Sequence, residues 1–280
     1  RGNLITPLKD RIDSQIITHY PKTIDLGLKI TAQEAWQDRN GAADGTGVDV
    51  HVPHYFREII EQIAFEARES EYIDQKSGVS VRVTRAALED LISAAERRAL
   101  LNGENETTVR VSDLAHVEPA ITGKVELVYE GEQEGAQNVA YTLIGRAIRS
   151  IFTKYFPDPS AKDNRSAYKD VINWFAQGNA VDLEQDQSFT QYAQALDAVD
   201  GLKAIVEKHT APEGPSETAS MMEFVLEALH QNSLIGKEFA DGEQTYNDMM
   251  GSMLSGFGDD FDEDDFDDDD DDDDLLSRYR

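Results

Sequence analysis

The chain has 280 residues, 40% of them hydrophobic, and sets 26 Lys and Arg against 55 Asp and Glu for a formal charge of −29. The absence of cysteine excludes disulfides, thiolate metal sites and thiol catalysis. The negative field and the lack of any basic patch exclude a nucleic-acid partner, and no run reaches the roughly 18 apolar residues of a membrane helix.

The segment Asp259 to Asp274 holds 14 of the acids, yet the rest of the chain still carries 41 acids against 26 bases. "RGNLITPLKDR" has no apolar signal core, and with the missing cysteines this fits a cytoplasmic setting.

In chain order, "SQIITHYP" (Ser14 to Pro21) is β-branched and predicts a short strand stopped by Pro21. From Thr23 to Arg39, Ile24, Leu28, Ala32, Ala35 and Trp36 recur at helical spacing. "NGAADGTGVDVHVP" reads as a loop, and Pro53 then opens a helix with Phe56, Ile59, Ile60, Ile63, Ala64 and Ala67 on one face. After a break at Gly78, Thr84 has the chemistry of an N-cap for a helix buried through Leu88, Leu91, Ile92 and Ala95, which Gly103 ends. "TTVRVSDLAHVEPAI" predicts a short extended piece and a helix from Ser112 to about Pro119. "GKVELVYEGEQEG" is a polar connector.

The second half predicts helices throughout. Their stripes are Val139 to Ile151, Tyr168 to Phe175, Phe189 to Val199 and Met222 to Leu229, and order is expected to end beyond Asn232. The polyacidic stretch predicts a solvated, extended tail, with Leu275, Leu276 and Tyr279 after it as a small tethered docking peptide. "HVPH" sets His51 and His54 three apart in a loop, and no metal site is expected from them. "DQSFT" (Asp186 to Thr190) echoes a von Willebrand A metal loop. It is set aside because "NAVDLEQ" before it does not read as a buried apolar strand.

Two separated motifs in a fixed order carry a resemblance. "PLKDRI" with "IITHYP" and "ITAQEAW", followed by "SGVSVRVTRAALEDLISAAERRALLNGE", resembles the AAA+ ATPases of the magnesium-chelatase subunit I and MoxR-like group. The resemblance covers Arg1 to about Lys124 and implies a mainly α fold. Residues 1–21 would be the last strand region of an AAA+ α/β core and 22–124 a helical lid with its sensor-2 segment. A C-terminal helical domain (125–232) and a disordered acidic tail (233–280) would follow.

No G-x-x-x-x-G-K-[ST] occurs, nor an apolar strand ending in Asp-Glu, so the chain is expected to be the C-terminal portion of a longer ATPase and inactive alone. In the full protein the resemblance implies ATP and Mg²⁺ as cofactors, a homo-oligomeric ring, and a separate von Willebrand A protein as partner.

The resemblance assigns Arg11 as an arginine finger acting on a neighbouring subunit, with Asp10 orienting it or bridging subunits. It assigns Arg82 as the sensor-2 arginine, with Arg85 as the alternative. Read without it, Asp10 and Arg11 cap a turn, and Arg82 is a loop arginine that pairs with Glu89 or Asp90 or is left to solvent. Two other functions stay open: an enhancer-dependent transcription activator, against which the polyacidic C-terminus argues, and a non-enzymatic acidic adaptor.

Overall fold

The computed structural model describes residues 10–14, 16–37, 39, 47–240 and 243–249. The chain is mainly α-helical with a few short strands. Helix α1 (Ile24–Glu34) is followed by β1 (Asp49–His51), α2 (His54–Glu69), α3 (Arg82–Asn102) and β2 (Glu106–Thr108). A 3₁₀ turn (Val111–Val117) leads into α4 (Glu118–Thr122), α5 (Tyr129–Glu134) and α6 (Ala136–Tyr155). A second 3₁₀ turn (Lys162–Tyr168) precedes α7 (Lys169–Ala176), β3 (Val181–Glu184), α8 (Phe189–Asp197), α9 (Leu202–His209) and α10 (Pro215–Gln231). The described part closes with β4 (Gly236–Ala240) and β5 (Glu243–Asn247).

Periodicity fixes the centre. Tyr55, Phe56, Ile59, Ile60, Ile63, Ala64 and Ala67 are each no more than 1% exposed, so the stripe read from the sequence is the buried face of α2. That face packs on α3 and, most extensively, on α6, which in turn packs on α10. Helix α10 is apolar on most sides, with Ala219, Met221, Phe224, Val225 and Leu229 all buried, as a central helix must be. Where the three helices meet, the Tyr55 and Phe224 rings stack at 4.8 Å and Phe152 meets Phe224 edge-on at 5.2 Å. Tyr55 Oη reaches Ser220 Oγ at 2.7 Å, and that hydroxyl donates to the Val109 carbonyl at 2.7 Å, so the polar end of the ring is satisfied.

One contiguous set of buried side chains runs from Val52 to Tyr246. The polar connector is stitched into it: Asp74 N donates to Glu126 O at 2.8 Å and Val128 N to Tyr72 O at 3.0 Å. Helix α3 ends where Gly103 takes φ 68° and donates its amide back to Ala99 and Leu100, the left-handed cap its position suggested.

Five expectations are corrected here. The stretch "NGAADGTGVDVHVP", read as a loop, carries strand β1, which pairs parallel with β2. The described residues between Ser14 and Pro21 form no strand; Ile16 and Ile17 are 86% and 85% exposed, so the β-branched run has no ladder to join. The helix expected from Ser112 is a 3₁₀ turn passing into α4. The second half is not helical throughout. "VDLE" forms β3 with Val181 and Leu183 inward and Asp182 and Glu184 outward, the alternation of a one-sided antiparallel strand. Order also continues past Asn232, because β5 pairs antiparallel with both β3 and β4 and Tyr246 and Gln244 are buried there. The acidic stretch from Asp259 and the terminal Leu275, Leu276 and Tyr279 lie outside the described residues.

Candidate functional site

The sequence-nominated arginines draw attention to the start of α3. Gly78 (φ 74°) turns the chain into it, and a Cβ there would stand 2.2 Å from Tyr20 Oη, so only glycine lets Tyr20 lie against the turn. Tyr20 is held from its other side by the Arg68 guanidinium, 4.5 Å from the ring centroid. Arg82 is the first residue of α3 and its side chain is exposed. Its backbone amide donates to Ser80 Oγ at 3.2 Å. Among the described residues its guanidinium makes no ion pair. Arg85 is different: its Nε pairs with Glu89 Oε1 at 3.2 Å, the i,i+4 spacing.

Thr84 is not the N-cap. The helix begins two residues before it, after Val81, and the Thr84 hydroxyl donates back to the Val81 carbonyl at 3.0 Å. The same oxygen lies 3.0 Å from Thr31 Oγ1 of α1, and Thr31 Oγ1 is hydrogen-bonded to Glu61 Oε1 of α2. Glu61 is 2% exposed. Burial pushes its carboxyl above the usual range, against the opposing pull of the Thr31 and Thr84 hydroxyls and the Arg68 charge. Gly27 makes room for it, since a Cβ at that position would fall 2.2 Å from Glu61 Oε2. Glycine, two threonines and a buried acid thus seat α1 on α2 and α3.

Beyond this seat α1 runs the same way as α3. Trp36 N donates to Glu89 Oε1 at 3.0 Å, and Arg39 Nη1 donates to Ser93 Oγ at 2.9 Å and Glu96 Oε2 at 2.8 Å. A cleft of about 660 Å³ opens between α1 and α2, with Leu28, Ala35, Arg57 and Glu61 among its walls. Burial lowers the Arg57 guanidinium from its ordinary value.

The outer surface of this region exposes several large apolar side chains among polar ones. Ile12, Ile16, Ile17, Tyr20, Leu26 and Ile30 are between 37% and 86% exposed. Asp10 and Arg11 stand at the head of this segment in a turn, both exposed, and among the described residues no hydrogen bond or ion pair joins them to Arg82 or Arg85. His51 and His54 are not brought together as a pair: His54 lines the cleft beside α1, while His51 Nε2 lies 3.7 Å from Glu217 Oε2.

The stretch Asp186 to Thr190, which echoes a von Willebrand metal loop, was expected to follow no strand. A strand does precede it, but Asp186 is bound by Arg97 at 2.6 Å and Ser188 caps α8 with Gln191. Glu61 was missed because an acid beside Ile60 and Ile63 reads as the solvent edge of an amphipathic helix. Its one sequence signal is a Gly and a Thr four apart in the helix laid over it. Comparison of the chain with protein-family models, with curated proteins and with solved structures finds no match.

Proposed function

We propose that this chain is the lid and C-terminal helical portion of an AAA+ ATPase related to the magnesium-chelatase subunit I and MoxR-like group. It works in a homo-oligomeric ring and couples ATP turnover to metal insertion or to remodelling of a von Willebrand A partner. What supports the reading, beyond the two ordered motifs, is the exposed apolar surface along Ile12, Ile16, Ile17, Leu26 and Ile30, borne by the segment seated against the first turns of α3. Covering apolar surface is worth about 25 cal/mol per Å², and an extended exposed patch marks an interaction site. A nucleotide-binding core docked there would meet the exposed Arg82.

In this reading the residues have distinct tasks. Arg82 presents a planar fork of donors from a helix start to phosphate oxygens, which arginine grips bidentately. Arg11, exposed at the head of the segment, reaches across a subunit boundary, and Asp10 orients it. A delocalised cation that meets charge developing on a transferred phosphoryl group is worth on the order of 10³–10⁵ in rate. Arg85 is the poorer candidate because Glu89 already holds it. The donor set fits only the periphery of a nucleotide. The sequence has guanidinium groups but no G-x-x-x-x-G-K-[ST] phosphate loop and no apolar strand ending in Asp-Glu for Mg²⁺, so ATP and Mg²⁺ would be held by another segment.

The non-enzymatic acidic adaptor is favoured by one observation, the continuous core from Val52 to Tyr246 that the described residues build among themselves. Steady-state phosphate release by the longest chain encoded around these residues separates the two. Mg²⁺-dependent turnover is expected for the motor; no turnover, with no phosphate loop in frame, leaves the adaptor.

A further inference from the structure

Away from Arg82, three side chains with metal-binding atoms converge from elements far apart in sequence. His51 closes β1, Glu213 stands on the loop before α10, and Glu217 lies in the first turn of α10. One ligand atom from each falls within 4.8 Å of the other two. Glu217 is mostly covered, with 12% of its side chain exposed, and its Oε2 is oriented by the Glu213 amide at 2.8 Å. The three border a cleft of about 240 Å³ that Asp49 and Glu106 also line.

We propose that His51, Glu213 and Glu217 bind one divalent transition cation of the Zn²⁺ class. The separation of His51 Nε2 and Glu217 Oε2, 3.7 Å, is too long for a hydrogen bond. Two ligand atoms each about 2.0–2.1 Å from a tetrahedral ion stand about 3.3 Å apart, so the gap is nearer to a metal-bridged pair than to a closed ion pair. The exposed Glu213, with a ligand atom within 4.8 Å of the other two, supplies the third donor.

The donors select the ion. An imidazole with two carboxylates suits zinc and its neighbours, whereas Mg²⁺ and Ca²⁺ favour oxygen alone. Three protein ligands facing a cleft leave a position for water or a small anionic ligand. Because the donors join β1 to the start of α10, the ion would also clip the parallel β1–β2 pair to the central helix. This inference stands independently of the AAA+ reading.

The test is Zn²⁺ titration of the full chain by calorimetry, with excess Mg²⁺ to occupy the acidic stretch, and Co²⁺ absorption to report imidazole ligation. One equivalent of Zn²⁺ is expected above the Mg²⁺ background. His51→Ala should weaken it by on the order of 100-fold, Glu217→Gln should weaken it as well, and His54→Ala should leave it unchanged. Should His51→Ala fail to fold, Glu213→Gln, at an exposed position, still reads the site. No saturable Zn²⁺ binding, or binding indifferent to both His51→Ala and Glu213→Gln, overturns the proposal and assigns any uptake to the acidic stretch.

Discussion

Replacing Glu61 by Gln adds a hydrogen to a buried chain of oxygens and, at a pH where the acid is ionised, removes a charge that Arg68 attracts. Three contacts need a hydrogen each: Glu61 to Thr31, Thr31 to Thr84 at 3.0 Å, and Thr84 to the Val81 carbonyl at 3.0 Å. With the carboxyl ionised, two hydroxyls supply only two hydrogens. A protonated carboxyl or a carboxamide supplies the third, and burial favours the protonated acid by raising its pKa above the ordinary 4.5. A group with a raised folded pKa gives stability that is fully present below the unfolded value and lost as pH rises through the folded one. Ionised Glu61 therefore forfeits one hydrogen bond, about 1 kcal/mol, and Gln keeps it at every pH. Glu61→Gln should melt about 2–4 °C higher than the parent at about pH 8, with the difference gone at about pH 4. Thermal unfolding followed by far-ultraviolet circular dichroism measures both. A variant less stable by the same margin at both pH values would refute the proton count.

Glu227 behaves in the opposite sense. Burial alone would raise its carboxyl, but the Lys237 ammonium at 2.7 Å, helped by His230 and the Gln231 amide, outweighs it and holds the pKa at about 2. Its contribution, roughly 3 kcal/mol, is present above the ordinary value and lost as pH falls toward about 2, so Glu227→Gln should flatten the acid limb of a urea stability curve. Glu223 accepts four hydrogen bonds, from Val111 N at 2.9 Å, Ser112 N at 3.0 Å, Tyr192 Oη at 2.7 Å and Gln244 Nε2 at 2.7 Å. Glu223→Gln turns an amide toward two of these donors at about 1–3 kcal/mol each; a urea midpoint that scarcely moves would contradict this. Gly131→Ala would put a Cβ 2.4 Å from the Tyr72 carbonyl oxygen, which as backbone cannot swing aside. A loss of about 1–3 kcal/mol in chemical denaturation is expected.

The amphipathic helices were legible because burial imposes a period on the residues that meet the core. Phe56 to Ala67 and Met222 to Leu229 show it directly. Gly103 was legible because a left-handed cap all but demands glycine. Ile16 and Ile17 misled because β-propensity describes a fit to neighbours that this segment lacks. Thr84 matched an N-cap in chemistry, but its hydroxyl serves α1 instead. Strand β3 was passed over for want of a continuous apolar run, although alternation was the right signal. At the candidate site, the arginines were named by motif. The seat beneath them and the convergence of His51 with Glu213 and Glu217 depend on contacts across tens to over a hundred residues, which no local pattern encodes.

The most direct measurement is steady-state ATP hydrolysis by the longest chain encoded around these residues, with Arg82→Ala and Arg85→Ala compared against the parent at matched assembly. Turnover should fall on the order of 100-fold or more with Arg82→Ala and change little with Arg85→Ala, whose guanidinium is already held by Glu89. Undiminished turnover in Arg82→Ala would contradict the role given to the start of α3.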